Sequence, residues 1–253
     1  PYSTPNSNYA TAALITIITQ PNAVPVCELQ NTSISIIDNG GNTYQWQIST
    51  DGNTWSSISN NTIYDGVTTN TLYLKSVTNA MNGYKYRIKL DKIGNSCGLI
   101  SAETTLTVYA LPVVNTISII QCDDDTDGIS AFNLTVKNNV ISSNFTSETF
   151  TYYTTLSGAE TADTGKLISN PLAFRNTTTS SMSIWTRVEN ANGCYNIAEI
   201  SLIVSATQIP ATFSRTISIC DDLGITNDDT DGIATFDFSN VTNDILTLRS
   251  EEH

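Results

Sequence analysis

Apolar and polar residues alternate along much of this chain in short runs. The segment "YQWQIS" at 44–49 places Tyr44, Trp46 and Ile48 on one face, the period of two expected of a half-buried strand. "TDGNT" follows as a hairpin turn, its Asp51-Gly52 dipeptide suited to positive φ. "TLYLKSV" at 71–77 and "YKYRIKL" at 84–90 alternate in turn. Farther on, "ETFTYYTTLSGAET" and the long stretch from Ile168 to Ser205 again read as short alternating segments divided by turn residues. The expected fold class is all-β.

Three strand-like segments, "ATAALITIITQP" (10–21), "SAETTLTVYALP" (101–112) and "IAEISLIVSATQIP" (197–210), each run into a proline and then reach a cysteine within a dozen residues. Those cysteines, Cys27, Cys122 and Cys220, lie 95 (122−27) and 98 (220−122) residues apart. A period near this length is that of a β-sandwich module. Residues 1–20 then read as the final strand of a truncated preceding module. Residues 21–110 and 111–208 are two complete sandwiches, and 209–253 opens a third. On this reading the chain is a piece of a longer array. The competing reading is a single irregular all-β domain.

Composition agrees with strands. Thr, Ser and Asn are plentiful, while charged residues make up only 14%. The net charge is −13 with 11 basic residues and no basic cluster, which excludes nucleic acid as a partner. The longest apolar run, "ALITII" at 13–18, is far short of a membrane helix. The N-terminus has neither a basic start nor a cleavage signature.

Cys27 and Cys97 bracket the first module, 70 residues apart, and Cys122 and Cys194 the second, 72 apart. The matched spacing predicts two disulfides within modules, Cys27–Cys97 and Cys122–Cys194, and an oxidising, extracytoplasmic setting. Unpaired core cysteines are the competing expectation.

Two aspartate phrases recur. Residues 123–128 read D-x-D-x-D-G and 227–232 read N-x-D-x-D-G. Oxygen ligands at alternate positions closed by glycine form the first half of an EF-hand-type calcium loop. The expected ligands are Asp123, Asp125 and Asp127 with the carbonyl of Ile129, then Asn227, Asp229 and Asp231 with that of Ile233. Position twelve should be glutamate but is Leu134 or Phe238, so any Ca²⁺ affinity is expected to be weak. The other reading is an Asp-rich turn that starts a strand.

The run "LYLKSVTNAMNGYKYRI" at 72–88 resembles a corner of immunoglobulin-like domains. Tyr84 stands at the place of the corner tyrosine and Trp46 at that of the core tryptophan. Tyr86 occupies the place of the usual inter-sheet cysteine. "CDDDTDGISAFNLT", "NP-x-x-F-x-N-T" (Asn170 to Thr177) and "GCY-x-I-x-E-I-x-L-x-V" resemble repeat modules of large surface proteins of gliding Bacteroidetes, exported by type IX secretion. That resemblance implies tandem immunoglobulin-like sandwiches, a cell-surface or secreted location, and a part in adhesion or gliding motility. The implied partners are neighbouring modules, secretion or motility machinery, and surface glycans.

Catalysis is not expected. The single histidine is His253, so a Ser-His-Asp or Cys-His pair has no base, and no zinc or phosphate-loop motif occurs. The expected function is a non-catalytic stalk. The rival is a glycan-binding module using Trp55, Tyr64 and Tyr73 as platforms.

Overall fold

The computed structural model describes residues 13–123, 127–206, 214–218 and 236–241. The chain packs as two units. The first is Pro1–Pro112 with Glu189–Asn196; the second is Val113–Val188 with Ile197–His253.

The first unit is a sandwich. One layer holds Thr32–Ser35, Thr71–Leu74 and Tyr64–Asp65 in that spatial order. The other runs Asn95–Ile100, Lys85–Lys92, Thr43–Ser49, Ser56–Ser57, with Thr104–Thr105 also paired to Lys85–Lys92. The alternation seen in the sequence is what fills the space between the layers. Trp46, Leu72, Leu74, Tyr86, Ile88 and Leu90 all point inward and are fully buried. The Trp46 indole donates from Nε1 to the Thr69 carbonyl at 2.9 Å, so its polar atom costs little. Tyr86 fills the place of the inter-sheet cysteine, its hydroxyl 3.1 Å from that of Tyr64.

Two short strands open this unit. Ile17–Thr19 pairs antiparallel with Ile37–Asp38, and Ile15 is buried in the same core. Residues up to 20 were expected to close a preceding module; those described instead open the first unit. An apolar run ending at a proline looks the same on an opening as on a closing edge strand, so periodicity alone does not assign it. Val26–Cys27 then pairs in parallel with Val108–Tyr109.

The second unit keeps half of this plan. Its four-stranded sheet has the order Ile117–Asp123, Tyr195–Ala206, Ser181–Glu189, Thr149–Tyr153. The entry strand Ile117–Asp123 runs parallel to the closing strand Tyr195–Ala206, from Ile117↔Ile200 to Asp123↔Ala206. The opposite layer shrinks to Ala131–Phe132 against Phe174–Arg175. Short helices take the rest of that side. Asn133 caps the 3₁₀ turn Leu134–Lys137, which leads into Asn138–Ile141. Leu156–Thr161 is helical where alternating strand was expected. Thr155 starts it by accepting from the Gly158 N–H at 3.1 Å, and Ala162 ends it in a left-handed conformation, φ 53°. The core gathers Phe132, Leu134, Ile141, Tyr152, Ile184 and Ile200. Trp185 is half-buried on the opposite face of its strand from Ile184 and Val188. Both units are thus all-β in frame and immunoglobulin-like. Among the described residues no helix is long and apolar enough to cross a membrane.

Candidate functional site

The cysteines pair differently from the expectation. The disulfide joins Cys27 to Cys194, with Cα atoms 5.5 Å apart and a sequence separation of 167. Neither Cys27–Cys97 nor Cys122–Cys194 forms. The sheet register gives the reason. Cys27 lies opposite Tyr109, while Cys97 lies in Asn95–Ile100, two strand pieces earlier in the chain. The twelve intervening steps (109−97) of largely extended chain can span up to about 40 Å at ~3.3 Å per residue. Cys122 lies opposite Ser205 and Cys194 just ahead of Tyr195, again roughly 35 Å apart on the same rise. A disulfide spans Cα atoms about 4.4–6.8 Å apart. The equal spacings of 70 and 72 residues therefore record two cysteines at equivalent places in each repeat, at opposite ends of it.

Cys194 sits on the hairpin turn Glu189–Asn196, which packs as part of the first unit. Its local fold is written in asparagines. The Asn190 Oδ1 accepts from the N–H groups of Asn192 (3.0 Å) and Cys194 (3.2 Å). Gly193 supplies the left-handed φ of 77°. The Asn190 N–H in turn donates to the Cys194 carbonyl at 2.9 Å. Outward, Asn190 Nδ2 donates to the Ala110 carbonyl (3.0 Å) and Asn196 Nδ2 to the Pro112 carbonyl (3.0 Å). The turn thus grips the chain leaving the first unit beside Tyr109, where Cys27 waits. Cys194 is buried and Cys27 half-buried. Cys97 is exposed and carries no disulfide.

The aspartate phrase at 123–128 is described only at its ends. Asp123 is buried and its Oδ2 accepts from the Gly128 N–H at 2.9 Å. Asp127 Oδ1 accepts from the Ile129 N–H at 2.6 Å. These are turn bonds, of the kind a carboxylate makes to its own backbone. Leu134, at the place of a bidentate glutamate, is a fully buried core residue. Asp125, and Asn227, Asp229, Asp231 and Ile233 of the second phrase, lie outside the described residues, as does Cys220. Among the described residues no group of three or more His, Cys, Asp or Glu converges.

Why the phrase ends in glycine is visible. Gly128 has φ 74°, and a Cβ there would meet Thr179 Cγ2 at 2.4 Å and the Ser180 nitrogen at 3.0 Å. Its carbonyl accepts from Ser180 N–H (3.0 Å) and Asn176 Nδ2 (2.9 Å). Asn176 is a structural residue that sequence reasoning missed. It is buried, accepts from Ser130 N–H at 2.7 Å and donates also to the Thr178 carbonyl at 2.8 Å. Its place in the "F-x-N-T" motif was the available signal.

The three candidate platform aromatics are mostly engaged. Arg87 stacks on Trp55 with Cζ 4.1 Å from the ring centroid, while its Nε donates to Gln47 Oε1 at 2.8 Å. Tyr64 is tied to Tyr86, and Tyr73 is half-exposed.

Residues 118–210 match the family described as the Flavobacterium inter-domain disulphide bond domain. The match covers most of the second repeat and includes Cys122 and Cys194. No curated protein matches the chain. Among solved structures, an I-band fragment of titin is 14% identical, over 78% of this chain and 67% of that one, with a TM-score of 0.37. The Ig1+Ig2 pair of DIP-gamma is 11% identical, over 77% and 98%, at 0.33. The N-terminal Ig1-2 module of the Drosophila receptor protein tyrosine phosphatase DLAR is 12% identical, over 76% and 98%, at 0.31. At such scores the strand pairing itself carries the fold assignment. The chain is a pair of immunoglobulin-like modules that carries a disulfide.

Proposed function

We propose that this chain is a non-catalytic stalk segment of a large secreted cell-surface adhesin, in which successive repeats are tied covalently so that the stalk bears load. One observation carries the reading: the Cys27–Cys194 bond, which links the entry strand of one repeat to the closing turn of the next. A link across 167 positions withholds nearly the whole of two repeats from extension. The setting at the cell surface, type IX export and gliding motility rest on the sequence resemblance.

Pulling the chain from its two ends tests the load-bearing role. Oxidised, only residues outside the Cys27–Cys194 loop should lengthen. Reduction should release roughly 550–600 Å more, at ~3.3–3.6 Å per residue. Equal contour lengths before and after reduction would remove the reading. Weak calcium binding at the aspartate phrases, on the order of 10⁻⁴–10⁻³ M, is a separable part of the proposal. A flat titration of the full chain to several millimolar Ca²⁺ disposes of it.

A further inference from the structure

We propose that the second repeat carries a binding site for a hexuronic acid residue, a sugar ring bearing one carboxylate. The site is a hollow of about 350 Å³ whose lining includes Leu167, Ile168, Ser169, Asn170, Phe174 and Arg175. It uses none of Trp55, Tyr64 and Tyr73, and it does not depend on the load-bearing role proposed above.

The hollow follows from the reduced second layer. Opposite its four-stranded sheet this repeat sets the short ladder of Ala131–Phe132 with Phe174–Arg175. Leu167 bridges to Tyr153 on the sheet edge, and the chain then runs from Leu167 to the ladder at Phe174. Backbone bonds fix both walls. The Ile168 N–H donates to the Tyr152 carbonyl at 2.8 Å, the Thr154 N–H to the Lys166 carbonyl at 3.0 Å, and the Leu134 N–H to the Pro171 carbonyl at 2.8 Å. Buried Asn176, whose amide is bonded at both its oxygen and its nitrogen, holds the strand end on which Arg175 stands. Ile168 is buried in the core, while Leu167 is 41% exposed. The site is therefore formed before any ligand arrives, which spares the ordering cost of binding. An apolar cleft of this size with a few polar groups is the usual form of a small-ligand site.

Charge selects the ligand. Acidic residues outnumber basic ones 24 to 11, and most described cations are engaged. Lys75, Lys85 and Lys89 are ion-paired. Arg87 lies on Trp55 and bonds Gln47. Lys92, Lys137 and Arg187 donate to backbone carbonyls. Among the described residues the Arg175 guanidinium has neither a hydrogen-bond nor an ion-pair partner, and it lines the hollow. Its planar fork suits a carboxylate gripped by two parallel N–H···O bonds. The exposed side chains of Ser169 and Asn170 are likewise without internal partners. They offer donors and acceptors beside the apolar Leu167 and Phe174.

A pyranose with one carboxylate answers all three. Its C–H face packs on Phe174 and Leu167, its hydroxyls meet Ser169 and Asn170, and its carboxylate meets Arg175. An acidic peptide fits less well. It would bind by adding a strand through free backbone groups, and those of Thr154 and Ile168 are already paired.

The test titrates the isotope-labelled full chain with sodium glucuronate and follows its amide resonances. Saturating shifts are expected at Ile168, Ser169, Asn170 and Phe174, with a Kd on the order of 1 mM for a single sugar ring. Glucose, which lacks the carboxylate, should bind about tenfold more weakly or worse, and so should Arg175→Ala. Arg175→Lys keeps the charge but not the fork, and should bind several-fold more weakly than the parent. Lys166→Ala removes the same charge from a side chain that lies against Gly158 and is not in the lining; it should bind as the parent does. Absence of saturation at roughly ten times that concentration overturns the proposal. So does equal weakening by Arg175→Ala and Lys166→Ala, which marks general electrostatics. Acetate or an Asp-rich peptide binding as tightly as glucuronate overturns it too, because the sugar ring then contributes nothing.

Discussion

The two repeats share a sheet and differ in what faces it. In both, an entry strand runs parallel to the last strand of the repeat. The second repeat's last strand, Tyr195–Ala206, also pairs in a hairpin with the strand before it, whereas in the first repeat that hairpin is made by Asn95–Ile100 and Thr104–Thr105, ahead of Val108–Tyr109. Opposite that sheet the first repeat sets Thr32–Ser35, Thr71–Leu74 and Tyr64–Asp65 and fills the gap with Trp46 and Tyr86. The second sets a two-residue ladder, short helices and a hydrogen-bonded loop around Asn176. What is common to both is the part that presents cysteines. What differs is the part that packs the interior. A repeat that must hand a thiol to its neighbour is constrained along its closing hairpin and free elsewhere.

The sharpest way to break the comparison is to remove what the repeats share. Cys194→Ser opens a loop of 167 positions, worth about 5 kcal/mol in the chain-entropy model. Thermal unfolding should fall steeply relative to the oxidised parent and match it once both are reduced. Next is what they do not share. Trp46→Ala should cost about 3–5 kcal/mol by leaving a cavity in a fully buried site, and should lower the first transition in calorimetry while sparing the second. Asn176→Ala should do the reverse. It strips a partner from Ser130 N–H and from the Gly128 and Thr178 carbonyls, at about 2–3 kcal/mol. Gly128→Ala is expected to cost about 1–3 kcal/mol through its left-handed φ and the crowding of Ser180.

The smallest effect is on pH. Burial pushes the Tyr152 phenol up to about 12, against a weaker downward pull from Asn138, and burial pushes Tyr86 up as well. Both folded values exceed the unfolded one near 10. The native state then holds protons that the unfolded chain releases, so stability is intact below pH ~10 and declines above it. Tyrosinate absorbance should report a delayed, cooperative rise in both repeats.

Much of the frame was legible because strands at a sandwich surface must alternate. "YQWQIS" and "YKYRIKL" gave their faces away, and Trp46 went to the core. The period near 95 residues set the expected repeats, and the chain packs as two units that part first at Pro112. Helix Leu156–Thr161 was hidden, since six residues begun by a Thr155 cap carry too little periodicity to stand apart from strand. The disulfide was misread for a different reason. Equal spacings of 70 and 72 fit bonds within repeats and bonds between successive repeats alike, and only the register of Cys27 opposite Tyr109 separates them. The aspartates were read either as ligands or as an Asp-rich turn; the described ones, Asp123 and Asp127, direct oxygens to the N–H groups of Gly128 and Ile129, and the ligand reading rests with the calcium titration.

The Cys27–Cys194 bond also alters what a protease can achieve. Any of the 167 peptide bonds it brackets (194−27) can be hydrolysed without the two fragments parting. A clipped molecule would run as one species on a gel until a reductant is added. A chain closed this way tolerates a single nick anywhere between Cys27 and Cys194 and is severed only outside that bracket.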